Sequence, residues 1–301
     1  TTLYAWGYNN YGCFGNNNTN NVWGKPSIVL DYNYNTHNFY EIAVGNYHSL
    51  AIDDLGKAWA WGYNSTGQLG INSTINRSTP YAIYGNHTFC KIYGGKNNFS
   101  IAIDNNGKTW SWGYNGFGKL GVNDILNKST PIVIHGNHTF CQISADVNHV
   151  LSMDNNNKAW GWGFINNLGI NLSTAMPSGS FNGVNHTFCK IFSIWNSSFG
   201  IDNNGKSWSW GENGNYNLGN NSNVDKSTPV AICGNHTFCQ ISGNESLIIS
   251  IDQNGKAWGW GNNTYGYLGT GVVGTIESTP VAIFGNHTFC HISVGYATTF
   301  A

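Results

Sequence analysis

Asn-His-Thr-Phe-Cys occurs five times in this chain, at Asn86–Cys90, Asn137–Cys141, Asn185–Cys189, Asn235–Cys239 and Asn286–Cys290. Histidine and cysteine together are metal ligands, or a nucleophile with its base. Asn-His-Thr is also a glycosylation sequon, as are Asn64-Ser-Thr and Asn98-Phe-Ser. A zinc site needs four converging ligands, and one copy supplies one His and one Cys. Seven cysteines are an odd number, so a complete disulfide framework is excluded. The elements that carry these residues decide among the remaining readings.

The elements repeat. Trp-Gly recurs at Trp6, Trp61, Trp112, Trp162, Trp210 and Trp260. A second Trp precedes it by two positions at Trp59, Trp110, Trp160, Trp208 and Trp258, with Tyr4 in the first copy. Ahead of these pairs run "DDLGK", "DNNGK", "DNNNK", "DNNGK" and "DQNGK". One unit of about fifty residues reads as four short strands, shown by "TFCKIY", "FSIAID", "KTWSWG" and "TPIVI". "DNNG" is a tight hairpin turn whose fourth position needs positive φ, which Gly supplies and Asn157 tolerates. Trp at i and i+2 of the third strand share one face, predicting a ring of Trp between neighbouring sheets.

Four-stranded units of this length predict an all-β fold: a single β-propeller domain over residues 1–301, with six four-stranded blades. The chain begins in a third strand and stops in a second. Leu3–Trp6 is expected to pair with the strand near Thr298–Ala301 and close the ring. The alternative is a seven-bladed ring completed by residues outside the given sequence.

"HSLAIDDLGKAWAWGYNSTGQLG" (His48 to Gly70) and "FSIAIDNNGKTWSWGYNGFGKLG" closely resemble the repeat of the regulator of chromosome condensation family. The resemblance covers essentially the whole chain. It implies a propeller, seven-bladed in well-known members. It also implies two known modes of action: guanine-nucleotide exchange with chromatin binding by the namesake, and inhibition of a β-lactamase through aromatic-rich loops by a secreted bacterial relative.

In a propeller, equivalent Cys are a blade apart, beyond the reach of ~7 Å that a disulfide allows. The five Cys are therefore expected to be buried, unpaired and free of metal, and no cofactor is expected. Asp53, Asp104, Asp154, Asp202 and Asp252 open the hairpin turns, where Asp is favoured structurally, and no catalytic set stands apart from the repeat. The chain reads as a non-enzyme.

Antiparallel strands put the strand one-to-two and three-to-four loops at one end of each sheet. The "DNNG" and "GNHT" connections share the other. The second set is nearly constant among the copies and the first is not. Eleven of the 13 Trp belong to the repeated pairs; Trp23 and Trp195 fall in the variable stretches, with Tyr47, Phe117, Tyr265 and Tyr296. Aromatic anchors among Asn, Ser and Gly predict a recognition surface for a protein or glycan partner. Charged residues are 9% and net charge is −1, which supports neither a nucleic-acid surface nor, with no long apolar run, membrane insertion. This composition suits an extracellular or virus-particle surface. Alternatives are a self-assembling coat or filament subunit and an exchange-factor-like regulator.

Overall fold

The computed structural model describes residues 2–30, 37–136, 138–165, 170–177, 187–285, 287–295 and 299–300. Twenty-four strands and no helix occur among them. The first pair is β1 (Tyr4–Gly7) and β2 (Val22–Ile28). One four-stranded sheet is β3 (Phe39–Val44), β4 (His48–Asp53), β5 (Ala58–Gly62) and β6 (Arg77–Ala82). The next is β7 (Phe89–Gly95), β8 (Phe99–Asp104), β9 (Thr109–Gly113) and β10 (Lys128–Val133). It is followed by β11 (Phe140–Ala145), β12 (His149–Asp154), β13 (Ala159–Ile165) and β14 (Ile170–Pro177). Then come β15 (Phe188–Ile194), β16 (Ser197–Asp202), β17 (Ser207–Gly211) and β18 (Lys226–Ala231). The last full sheet is β19 (Phe238–Gly243), β20 (Leu247–Asp252), β21 (Ala257–Asn263) and β22 (Thr275–Ala282). A final pair is β23 (Ser293–Val294) with β24 (Thr299–Phe300).

Within each full sheet, neighbours in sequence are neighbours in space. The pairing expected for Leu3–Trp6 with Thr298–Ala301 falls partly on positions 298 and 301, outside the described residues. The chain divides into two compact units. One is 1–148 with 162–164 and 171–176; the other is 149–161 with 165–170 and 177–301.

The repeat's spacing follows from contacts across the seams between successive repeats. The second Trp of the third strand donates its indole N–H to a carbonyl of the preceding repeat. Trp61 bonds Cys13 O at 2.7 Å, Trp112 bonds Gln68 O at 2.9 Å, Trp162 bonds Lys119 O at 2.7 Å and Trp260 bonds Asn217 O at 2.6 Å. Each acceptor is the second residue of a Gly-x-Leu-Gly-like segment. The closing Gly lies against the ring. A Cβ at Gly70 would sit 2.7 Å from Trp112 Nε1, and Gly70 has φ +67°. Gly121 against Trp162 and Gly219 against Trp260 repeat this at 3.0 Å.

The first Trp is bound to the hairpin turn. In the second repeat, Asp53 Oδ1 accepts the backbone N–H groups of Leu55 and Lys57, while Oδ2 accepts Trp59 Nε1 at 2.8 Å. Asp104, Asp154, Asp202 and Asp252 likewise accept Trp110, Trp160, Trp208 and Trp258. The turn residues have the expected left-handed φ: 78° at Gly56, 77° at Gly107 and 62° at Asn157.

Asn-His-Thr-Phe-Cys now has a mechanical reading. The His ring lies on the first Trp, with centroids 4.0 Å apart for His87 and Trp110 and 3.9 Å for His236 and Trp258. The buried Phe packs on the second Trp, as Phe89 does on Trp112 at 6.2 Å. Its backbone N–H donates to the turn of the preceding repeat, Phe89 to Gly56 O and Phe140 to Gly107 O.

The cysteines differ from expectation. None of the seven forms a disulfide, but Cys90, Cys141 and Cys239 are only half-buried, and Cys189 and Cys290 are exposed. The register explains it. Phe89 opposes Asp104 and Lys91 opposes Ile103, so Cys90 is the extra residue of a β-bulge. A bulge residue is unpaired and leaves the in–out alternation, so the apolar core takes Phe89 and Ile92 instead.

One Trp of the Trp-Gly series is exposed. Trp6 is 64% exposed, whereas Trp61, Trp112, Trp162, Trp210 and Trp260 are buried. Removing a buried Trp side chain costs about 3–5 kcal/mol. Trp112→Ala should therefore lower stability by that amount, and Trp6→Ala by about 1 kcal/mol or less. Urea unfolding midpoints of the two variants measure this, and equal losses would show that Trp6 is seated as the others are.

Candidate functional site

The variable loops are less free than their sequences suggest. Five of the three-to-four loops close over a fully buried Asn two residues after the Trp-Gly pair: Asn9, Asn64, Asn115, Asn213 and Asn263. Asn64 Nδ2 donates to Ser73 O at 2.8 Å and Ile75 O at 3.0 Å, while its Oδ1 accepts Leu69 N at 2.9 Å. Its backbone N–H donates to Asn76 Oδ1 at 2.8 Å. Asn213 repeats this with Ser222 O, Val224 O, Leu218 N and Asp225 Oδ1. One buried amide thus ties a loop of about a dozen residues at both ends. The signal was visible as Trp-Gly-x-Asn in five of six copies.

On these clamped loops the predicted anchors separate. Tyr47 is 42% exposed, in the turn between β3 and β4. Its ring meets Tyr11 at 5.3 Å and Tyr63 at 6.3 Å, and Tyr11 meets Tyr63 at 4.7 Å. Sequence reasoning missed Tyr11 and Tyr63. Phe117 is half-buried and lies 5.4 Å from Phe164. Tyr11 and Phe117 are equivalent positions, and so are Tyr63 and Phe164. These two pairs are therefore one recurring seam contact, to which Tyr47 adds a ring. In four other repeats its place is held by Asn98, Asn148, Asn196 and Ser246.

In the second unit, Tyr265 is 75% exposed, 5.5 Å from Tyr267. Trp195 is half-buried and begins the two-residue turn between Ile194 and Ser197, with φ 55°. That conformation is costly for a bulky side chain, by about 1–3 kcal/mol. Trp23 is placed differently from expectation: it lies within strand β2, not in a loop. Loop composition around it concealed a strand that pairs with β1. Tyr296 lies outside the described residues.

Lys119 is the second residue of its Gly-x-Leu-Gly segment and is fully buried. Its Nζ donates to Val147 O at 3.0 Å and lies 4.6 Å from the centre of the Tyr114 ring, 5.2 Å from Phe99 and 5.8 Å from Phe117. Burial pushes its ammonium down to about 7. A lysine that titrates near neutrality suits proton transfer or nucleophilic attack. This amine is walled in and spends a hydrogen on a seam carbonyl, so it serves as a tie. Asn217 Nδ2 does the same work on Glu245 O at 2.9 Å. Among the described residues, no group of three or more His, Cys, Asp or Glu could hold a metal ion.

A family model described as RCC1-like domain matches residues 2–301. The chain belongs to the RCC1-like domain family. Solved structures agree on the fold. Yeast RCC1 (Prp20) bound to Kap60 is 19% identical, with TM-score 0.75 over 97% of this chain and 74% of that one. Human WBSCR16 is 17% identical, with TM-score 0.78 over 97% and 84%. The fold is the β-propeller of these proteins. Among curated relatives, the ultraviolet-B receptor UVR8 of Arabidopsis thaliana is 24% identical over 50% of this chain and 34% of its own length. The X-linked retinitis pigmentosa GTPase regulator of Canis lupus familiaris is 32% identical over 43% of this chain and 13% of its own. The matches thus span about a third or less of these two relatives.

This RCC1-like domain carries a buried titratable group in its seams. Ser100 Oγ donates to Gln68 O at 2.8 Å, so it must accept from His48 Nε2, 3.0 Å away. That fixes a proton on His48 Nε2, and burial of the unpartnered Nδ1 favours the neutral ring. Burial pushes its pKa down to about 4 from 6.5. The native state resists a proton that the unfolded chain accepts. Stability should be full above pH 6.5 and fall by roughly 3 kcal/mol as pH drops toward 4. Chemical denaturation across this range measures the slope. In His48→Gln the slope should be shallower; an unchanged slope would assign it to other groups.

Proposed function

We infer that this RCC1-like domain is a protein-binding module whose contact surface is centred on Tyr47, Tyr11 and Tyr63. One observation carries the reading: an exposed ring at a position where four other repeats use Asn or Ser, seated on a rigid pair of rings. Rigid aromatic anchors lose little entropy on binding. The constant ends of the sheets are committed to turn, indole and seam bonds, which leaves the clamped loops as the surface free to vary. Related structures support a protein partner. Yeast RCC1 (Prp20) was solved with Kap60, and a Saccharomyces cerevisiae Prp20p structure reports binding to Gsp1p and histones. Tyr265 in the second unit is a further exposed anchor of the same kind.

Two variants test the assignment, with histones and Gsp1p as the first partners measured. Tyr47→Asn installs the residue that three other repeats already use, so its melting temperature should match the parent. Its binding should weaken by about 2 kcal/mol, the loss typical of an aromatic hot spot. Asn203→Ala, in an exposed hairpin turn, should bind normally. Loss of binding in Asn203→Ala with Tyr47→Asn unaffected would place the contact surface at the opposite end of the sheets.

A further inference from the structure

A second, separate surface carries chemistry that the repeat does not require. Along β5 and β6 runs a cleft of about 600 Å³, lined among others by Lys57, Trp59, Arg77, Pro80 and Tyr81. Two cations sit over two rings there. Lys57 Nζ is 4.7 Å from the centre of the Trp59 ring, and the Arg77 guanidinium is 4.7 Å from that of Tyr81. Neither cation has an ion pair among the described residues, and Arg77 Nε is buried without a hydrogen-bond partner. A buried, unpaired donor on a charged group is costly. The nearby carboxylate, Asp53, is already taken up by two backbone N–H groups and the Trp59 indole.

Other repeats show that this is not a demand of the fold. In the next repeat Lys128 stands at the Arg77 position and is neutralised by Asp124 at 2.6 Å, and Ile132 replaces Tyr81. Later repeats have Lys226 with Val230, and Glu277 with Val281. Arg77 and Tyr81 together occur once. A guanidinium presents a planar fork that matches phosphate oxygens, and an ammonium adds a point charge. The Tyr81 ring, 42% exposed, and Pro80 beside it offer stacking area to a planar group, whereas Trp59 is already covered by His37 at 4.2 Å and by Lys57. The cleft is too large for a bare oxyanion.

The geometry points to a binding site for a small ligand that joins a planar ring to a phosphate-type oxyanion. The oxyanion is held by Arg77 and Lys57, and the ring lies along Tyr81 and Pro80. Isothermal titration of the intact chain with phenyl phosphate tests it. Inorganic phosphate and phenol serve as half-ligands; adenosine monophosphate and phosphotyrosine distinguish a nucleotide source from a modified side chain. Saturable binding of phenyl phosphate is expected, at least about tenfold tighter than either half-ligand. Arg77→Leu should abolish it. Tyr81→Val, a residue the fold accepts at this position, should weaken it about tenfold with an unchanged melting temperature. Lys226→Ala, at the position equivalent to Arg77, should leave it intact. Absence of saturable binding at millimolar phenyl phosphate overturns the site. So does equal binding by the parent and Tyr81→Val, or inorganic phosphate binding as tightly as phenyl phosphate.

Discussion

The indole-to-carbonyl bond across each seam is the constraint on which the rest depends. It requires a Trp at one place in the third strand and a carbonyl aimed at it from the preceding repeat. It also requires a Gly beneath the ring, because a Cβ there would meet the indole at about 3 Å in all four of the seams described. Those demands set the Trp-Gly and Gly-x-Leu-Gly spacings. They place no demand on the side chain of x, since only its carbonyl is used. The chain exploits that freedom: x is Cys13, Gln68, Lys119, Asn217 and Tyr267 in turn. A buried lysine can be carried at such a position because the neighbouring seam offers its ammonium a carbonyl and three rings.

The same economy divides the two ends of each sheet. At one end Asp, Gly, His and Phe are bonded to turn, indole and neighbouring backbone, so a change in any of them strands a partner. At the other end the clamp is one Asn buried beneath the loop, and the residues above it face outward. Variation collects where a substitution leaves no buried group unpaired. The difference between the ends is therefore a physical consequence of how each is tied, and a recognition role can use it without cost to the fold.

Much of this was legible in the residues. The 3.6-free, two-fold strand pattern, the Trp pairs and the turn Gly gave the strands and their order, and Asn157 at φ 62° confirms the reasoning about left-handed positions. Cys90 and its equivalents were misjudged because a bulge breaks alternation, and a bulge is set by register with β8, which one strand's sequence does not display. Trp23 was misplaced because its Asn-rich neighbourhood resembles a loop until β1 pairs with it. Tyr11 and Tyr63 were overlooked because each looks like ordinary loop variation alone. Only the seam brings them to 4.7 Å and sets Tyr47 against both.

Charge placement gives the last step. With only 13 Lys and Arg, most cations have evident structural work. Lys108, Lys158, Lys206 and Lys256 lie over the first Trp of their repeats, Lys128 is paired with Asp124, and Lys96 with Asp146. Lys57 follows the same rule over Trp59. Arg77 departs from it, for its guanidinium rests on a tyrosine no other repeat has and keeps a buried Nε without a partner. Trp195 departs in another way, holding a left-handed turn position that Gly would occupy more cheaply. Where a repeat breaks its own rule at a cost, selection for something other than folding is the economical explanation. These two departures lie outside the constant turns, in the cleft of β5 and β6 and in the loop between β15 and β16.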